Sequence, residues 1–205
     1  SEHEQSSMHE LADRLFNENK TRTPFRPTRD ALRPATMAAG YQVQDLLNAR
    51  YTEDGRGSIA GYKVGLTSEK IRELCGVHEP IAGTVYQSTV HRSPAALNLA
   101  DFVHLGIEFE LAVEIAKDIP LDAAPLDAAS VRDFVAACVP AFELIEDRNA
   151  DYSDLDALSI MLDNSWCGGI VLSEAVGDWR ALNFETNPVA MYLNDAFIES
   201  GVTGD

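Results

Sequence analysis

The chain has 205 residues, enough to bury a sizeable core in one domain, and 45% of them are hydrophobic, as in an ordinary globular protein. Its formal net charge of −17 excludes binding of nucleic acid or an anionic membrane by bulk electrostatics, and an anionic substrate needs a metal or local basic groups to land. No apolar run is long enough to cross a bilayer and the N-terminus, Ser1 to Gln5, has no apolar signal core, so a cytoplasmic location is expected.

Met8 to Lys20 places Leu11, Leu15 and Phe16 at helical spacing. A basic linker follows, Thr21 to Arg29, with Pro24 and Pro27. A second helix runs from about Thr36 to Tyr51, with Val43, Leu46, Leu47 and Tyr51 on one side, until Gly55-Arg56-Gly57 breaks the pattern. Ile59 to Leu66 reads as a strand. Thr67 or Ser68 then caps a short helix that ends near Cys75-Gly76. Strands are predicted over Val85 to Val90 and Leu105 to Ala116. Ser130 and Asp133 open a predicted helix that carries Val131, Phe134, Val135 and Cys138 inward and stops before Pro140. Ala141 to Ile145 and Gly168 to Leu172 read as strands, and Pro188 to Glu199 as a hairpin turning at Asn194-Asp195. The fold class is α+β, with a mixed or antiparallel sheet folded partly on itself. Residues 1–35 form a helical segment and linker, and residues 36–205 a second, larger domain. The chain stops right after a predicted strand, so further C-terminal residues are expected.

The segment from Ile107 to Ile115 carries the chemistry. Its odd positions are apolar, and its even positions include Glu108, Glu110 and Glu114. Alternate strand residues share a face, so Glu108 and Glu110 point the same way. Like charges side by side need solvent or a cation between them. A Glu-x-Glu pair in a chain with 33 acidic residues is by itself an ordinary solvated face. Two further residues change the weighing. Glu143 lies in the apolar strand Pro140-Ala141-Phe142-Glu143-Leu144, where a charge needs a reason. Lys63 lies in Gly61-Tyr62-Lys63-Val64-Gly65, where it either snorkels to the surface or meets a partner. Three carboxylates and one ammonium on neighbouring strands would make a hard-cation site, suited to Mg²⁺ or Mn²⁺ rather than zinc or copper. The five histidines form no ligand motif. Cys75, Cys138 and Cys167 form no CxxC pair or zinc spacing and read as reduced, buried thiols.

Gly61-Tyr62-Lys63-Val64-Gly65-Leu66-Thr67, Gly76-Val77-His78-Glu79-Pro80, Glu108-Phe109-Glu110-Leu111-Ala112, Pro140 to Arg148 and Asp163-Asn164-Ser165-Trp166-Cys167-Gly168-Gly169 together resemble the 2-keto-4-pentenoate hydratase family. That family is the hydratase/decarboxylase branch of the fumarylacetoacetate hydrolase superfamily. The resemblance covers about residues 36 to 200. It implies a rolled mixed β-sheet with small peripheral helices. It also implies Mg²⁺ or Mn²⁺ held by Glu108, Glu110 and Glu143, with Lys63 beside a small 2-oxo acid substrate. Thr67 and Asn164 are candidate substrate-binding residues, and a homo-oligomer, with a pathway decarboxylase as a possible partner, is expected.

Two departures stand out. The hydratases commonly carry an aspartate in Pro-Asp-x-Gly for proton transfer, and here the segment is Pro80-Ile81-Ala82-Gly83. They also carry a small hydroxyl residue where this chain has Trp166. The resemblance implies hydration of a 2-hydroxy-2,4-dienoate in aromatic-compound catabolism. Decarboxylation of an oxalocrotonate-like diacid, hydrolysis of an acylpyruvate, or a non-catalytic accessory role are the alternatives on the same scaffold. Arg148 reads either as a distal carboxylate binder or as a surface partner of Glu146 or Asp147. His78 reads as an exposed loop residue or as a substitute proton carrier. Trp166 reads as a packing residue, and Cys167 has no neighbouring base to activate it.

Overall fold

The structure, a computed structural model, describes residues 2–204. Ser1 and Asp205, the outermost residues of the two segments expected from the sequence, lie outside them. The chain forms two compact units. One takes in the N-terminal part to Glu108 together with Phe142–Val171, and the other Phe109–Ala141 together with the part from Leu172 on.

The first unit is built around two helices, α1 (Glu2–Lys20) and α2 (Met37–Tyr51). Leu11 and Leu15 of α1 and Val43 and Leu47 of α2 meet in one core. Burying each such side chain contributes about 1.5–3 kcal/mol. Thr36 caps α2 by accepting the Ala39 N–H. Strand β1 (Ile59–Gly65) leads to α3 (Glu69–Cys75), which Ser68 caps and Gly76 closes in a left-handed turn. Strand β2 (Ile81–Tyr86) returns antiparallel to β1 and sets Lys63 opposite Gly83. Next come β3 (Val90–Arg92), β4 (Leu105–Ile115), β5 (Val135–Glu146), α4 (Ala157–Leu162) and β6 (Cys167–Leu172). The four strands form a sheet in the order β3-β6-β5-β4. Every residue of α4 is buried against the α1–α2 core. A helix that is apolar all round has no hydrophobic stripe, which is why the sequence pattern did not reveal it.

The second unit holds the outer parts of β4 and β5 and the hairpin of β7 (Pro188–Leu193) with β8 (Ala196–Val202). Asn194 and Asp195 both have positive φ (49° and 63°), as a two-residue hairpin turn of the primed type requires. The Arg132 and Arg180 guanidinium groups lie 4.8 and 4.5 Å from the Trp179 ring centroid.

Three expectations from the sequence are corrected. The helix predicted from Ser130 is only a 3₁₀ turn, Ser130–Phe134. Val135–Val139 extends instead, and β5 runs through Pro140. The branched residues Val135 and Val139 fit a pleat better than a helix. The predicted strand at Val85 begins earlier, at Ile81, and ends at Tyr86. The first helix starts at Glu2, because polar residues continue it ahead of its apolar stripe. Among the described residues no helix is long and apolar enough to cross a membrane.

Candidate metal centre

The site is assembled from strand positions. Glu108 and Glu110 share a face of β4, and Glu143 lies on the neighbouring strand β5. A carboxylate oxygen from each lies within 4.8 Å of the others. Glu108 and Glu110 are exposed, whereas the Glu143 side chain is only 3% exposed. Lys63, on β1, brings its Nζ to 2.7 Å from Glu143 Oε1, and its own side chain is 10% exposed. The lysine therefore does not snorkel away. It is drawn inward to a buried carboxylate.

The second anchor of Lys63 is a carbonyl: Nζ donates to Ser165 O at 3.0 Å. That carbonyl belongs to a 3₁₀ turn, Asn164–Trp166, whose three residues all have positive φ (52°, 49° and 57°). Left-handed backbone costs roughly 1–2 kcal/mol for each non-glycine residue, so the turn must be held from outside. The Asn164 side chain accepts the Thr84 N–H at 2.7 Å and donates to Thr84 O at 2.9 Å. Ser165 Oγ donates to Ala82 O at 2.7 Å. A Cβ at position 83 would stand 2.4 Å from Asn164 O, so only glycine lets β2 approach this closely. Asp163, just before the turn, pairs with Arg148 at 2.9 Å, both side chains almost wholly buried.

These contacts place the residues singled out from sequence. Lys63, Glu108, Glu110 and Glu143 come together. The Asn164 amide is buried and occupied with Thr84, which favours the turn-holding of its two readings. Thr67 is exposed at the end of β1, where its carbonyl accepts a hydrogen bond from Arg72, and Ser68 rather than Thr67 caps α3. His78 is exposed in its loop. Arg148 is not a surface partner of Glu146 or Asp147: the residue is 1% exposed and its guanidinium serves Asp163 and Thr23 O. Trp166 packs edge-on against Phe25 with ring centroids 5.1 Å apart. Burial pushes the Cys167 thiol up to about 11, with the charge of Glu143 adding to the shift and Lys63 opposing it. A thiol held protonated in this way is no nucleophile. Ile81 is buried, and its Cγ1 and Lys63 Nζ lie 3.5 and 3.4 Å from where a Gly65 Cβ would stand. The apolar side chain therefore flanks the lysine head.

One group escaped the sequence reading. Asp147, 3% exposed, accepts from Tyr152 Oη at 2.8 Å and lies 2.7 Å from His104 Nδ1. Burial, then the hydrogen bond to Asp147, then the charges of Asp147 and Glu108 push the Tyr152 hydroxyl up to about 12. Strand parity, carried one residue past the ends of β4 and β5, was the available signal. His104 stands an even number of residues before Glu108, and Asp147 an even number after Glu143.

An all-oxygen set of three carboxylates suits a hard divalent cation that keeps positions open for water or substrate. The burial of Glu143 fits the same conclusion, because a carboxylate there needs positive charge beside it.

No protein-family model matches the chain. It is 25% identical over 187 residues to the TodF product hydratase of Pseudomonas putida, across 91% of this chain and 68% of that protein. It is 23% identical over 195 residues to a 2-hydroxypent-2,4-dienoate hydratase of Pseudomonas putida, across 95% and 86%. A 2-keto-4-pentenoate hydratase of Paraburkholderia xenovorans is 26% identical over 174 residues, 85% of this chain and 63% of that protein. Among solved structures, 4-oxalocrotonate decarboxylase from Pseudomonas putida G7, complexed with magnesium and adipate, superposes with a TM-score of 0.86 at 22% identity, over 97% of this chain and 74% of that one. The fold is thus the α+β fold of that decarboxylase.

Proposed function

We propose that this chain, a relative of the 2-keto-4-pentenoate hydratases, is a divalent-metal-dependent lyase that adds water to a 2-hydroxy-2,4-dienoate in aromatic-compound catabolism, on a rolled mixed sheet. The observation that carries the reading is the Lys63 ammonium set against Glu143, within a cluster of three carboxylates. Glu108, Glu110 and Glu143 would hold Mg²⁺ or Mn²⁺, which supplies a Lewis acid for the 2-oxo oxygen.

The chain's own residues do the rest. Lys63 is fixed by Glu143 and by Ser165 O, and what remains of its N–H capacity faces the oxygen on which negative charge develops as the C3 proton leaves. Ile81 beside it carries no proton and keeps water from the lysine head. Protonation of the far carbon then falls to another group. Tyr152, within electrostatic reach of Glu108, and His104 share the buried Asp147 and are the titratable candidates.

Ile81 also favours a second reading. A site that forms the same enolate but lacks the acid-base residue at this position suits decarboxylation, and a 4-oxalocrotonate decarboxylase of a Pseudomonas species is 26% identical over 159 residues. An ultraviolet assay of 2-hydroxypenta-2,4-dienoate, with and without Mg²⁺ or Mn²⁺ and with mass analysis of the product, separates the readings. Metal-dependent loss of the dienol with gain of one water is the expected result. Inactivity on the dienol together with CO₂ release from 4-oxalocrotonate would replace hydration by decarboxylation.

A further inference from the structure

One cavity of the first unit, about 300 Å³, is not lined by Lys63, Glu108, Glu110 or Glu143. Its charged lining divides into groups that are already satisfied and groups that are not. Arg148 and Asp163 neutralise each other. Glu146 accepts the backbone N–H groups of Val103, His104 and Arg148. Arg56 and Arg22, in contrast, make no salt bridge with a carboxylate among the described residues, although the Asp163 charge reaches Arg56, in a chain of net charge −17 where carboxylates are abundant.

Arg56 is placed deliberately by the backbone. It lies in a five-residue π turn, Thr52–Arg56, with Gly55 at φ 94° and Gly57 at φ 84° on either side. Such π distortions are frequent at functional sites. Its guanidinium stacks 3.7 Å over the Tyr51 ring. Stacking uses the face of the guanidinium and leaves the N–H groups at its edge free, in the plane that a carboxylate takes. Arg22 donates one N–H to Phe102 O at 2.6 Å and keeps the others. Tyr51, Phe102 and Trp166 give the same cavity apolar walls.

We propose that this cavity is a second binding site, for a small organic acid whose carboxylate meets Arg56 and Arg22 and whose apolar body lies against Tyr51 and Trp166. The volume stands at the lower end of small-molecule sites, which limits the ligand to a compact acid. The aromatic walls favour an organic acid over inorganic phosphate, although a guanidinium pairs with either. An occupant would rest on the turn whose Ser165 carbonyl holds Lys63, since Asn164 and Trp166 both line the cavity. Asp101, Glu146 and Asp163 are the lining carboxylates; with Glu146 and Asp163 engaged as described, Asp101 is the one whose charge most directly opposes an anion.

The test uses the whole chain freed of metal over a chelating resin, so that binding is read without turnover and independently of the proposed reaction. Cyclohexanecarboxylate and inorganic phosphate are titrated by calorimetry and by fluorescence in a Trp179→Phe background, where Trp166 is the remaining tryptophan. Cyclohexanecarboxylate is expected to bind and to change Trp166 emission. Arg56→Met and Arg22→Met should each weaken it about tenfold, the loss of one charge-assisted contact. Asp101→Asn should tighten it, and Glu143→Gln should leave it unchanged. Unaltered affinity in both arginine variants, or loss of binding in Glu143→Gln, would overturn the assignment. So would phosphate binding without cyclohexanecarboxylate binding, or no binding of either at millimolar concentration. Should an arginine variant fail to fold, Asp101→Asn decides: affinity that does not rise counts against the site.

Discussion

Replacing Asp163 by asparagine tests how the turn that positions Lys63 is held. The side chain keeps its shape and loses its charge. In the native protein Asp163 Oδ2 accepts from Arg148 Nη2 at 2.9 Å and Oδ1 accepts from Asn19 Nδ2 at 2.7 Å. The two charged side chains are 2% and 3% exposed. Burial pushes the Asp163 carboxyl upward, with the charge of Arg148 and the hydrogen bonds from Asn19 and Arg148 opposing. Desolvation thus outweighs the attraction at Asp163, and the pair contributes little over an apolar substitute. Removing one partner is another matter, because the Arg148 guanidinium stays buried. That costs about 3–5 kcal/mol. For a chain of this length each kcal/mol lowers Tm by about 2–4 °C, so Asp163→Asn should melt roughly 6–20 °C lower. The double variant Arg148→Met/Asp163→Leu should recover much of the loss. Urea and thermal unfolding of wild type, Arg148→Met, Asp163→Leu and the double variant gives the coupling directly. An Asp163→Asn protein within about 1 kcal/mol of wild type, or a double variant whose loss equals the sum of the single losses, would refute the reasoning.

Glu108→Ala and Glu143→Ala should each abolish Mn²⁺ binding by calorimetry while leaving the far-ultraviolet circular dichroism unchanged; wild-type-like affinity in either would sink the ligand assignment. Gly83→Ala forces a Cβ into the Asn164 carbonyl and should cost about 1–3 kcal/mol by thermal unfolding, more than Gly61→Ala, where a Cβ meets nothing within 4 Å. Burial pushes Asp156 up, but hydrogen bonds from Arg33 and from Ser159 outweigh it and hold the carboxyl below 3.8. The stability it lends as the cap of α4 is therefore present above 3.8 and lost as pH falls below that through the lowered value of the folded state. Melting curves across the acid range should show a shallower acid limb in Asp156→Asn. Cys167 should resist iodoacetamide in the native protein at pH 8 and react once unfolded, as read by peptide mass analysis.

What the sequence revealed of the fold depended on whether each element carries a local signal. α1 and α2 have apolar stripes, α3 has a serine cap and a terminal glycine, and the β7–β8 hairpin has Asn194-Asp195 at its turn. Each of these is written in a few adjacent residues. α4 carries no stripe because all its faces are buried. The stretch Ser130–Val139 carries a helix-start signal, but the hydrogen bonds offered by neighbouring chain segments decide its state: Cys138 exchanges N–H and C=O with Val176, and Pro140 O accepts the Ser173 N–H. Tertiary pairing, with the strand preference of Val135 and Val139, overrode the helix-start signal there.

The site divides along the same line. Parity within one strand put Glu108 beside Glu110, and the cost of a buried charge singled out Glu143 and Lys63, since both arguments need only the residue and its immediate neighbours. The second anchor of Lys63 was invisible, because it is a backbone carbonyl in a left-handed turn formed by Asn164, Ser165 and Trp166, residue types that carry no glycine to announce a positive φ. The turn is held by Thr84 and Ala82 of β2 and anchored at Asp163 by Arg148, and the β2 contacts join segments far apart in the chain. The same distance effect explains Arg148. Read beside Glu146 and Asp147 it is a surface ion pair, but in three dimensions Glu146 takes backbone N–H groups and Asp147 takes His104 and Tyr152, so the arginine is left to Asp163. Local charge order therefore misassigns a pair whenever each neighbour has a better-placed donor elsewhere, and in this chain that redistribution both holds the Lys63 turn and sets His104 and Tyr152 on one buried carboxylate.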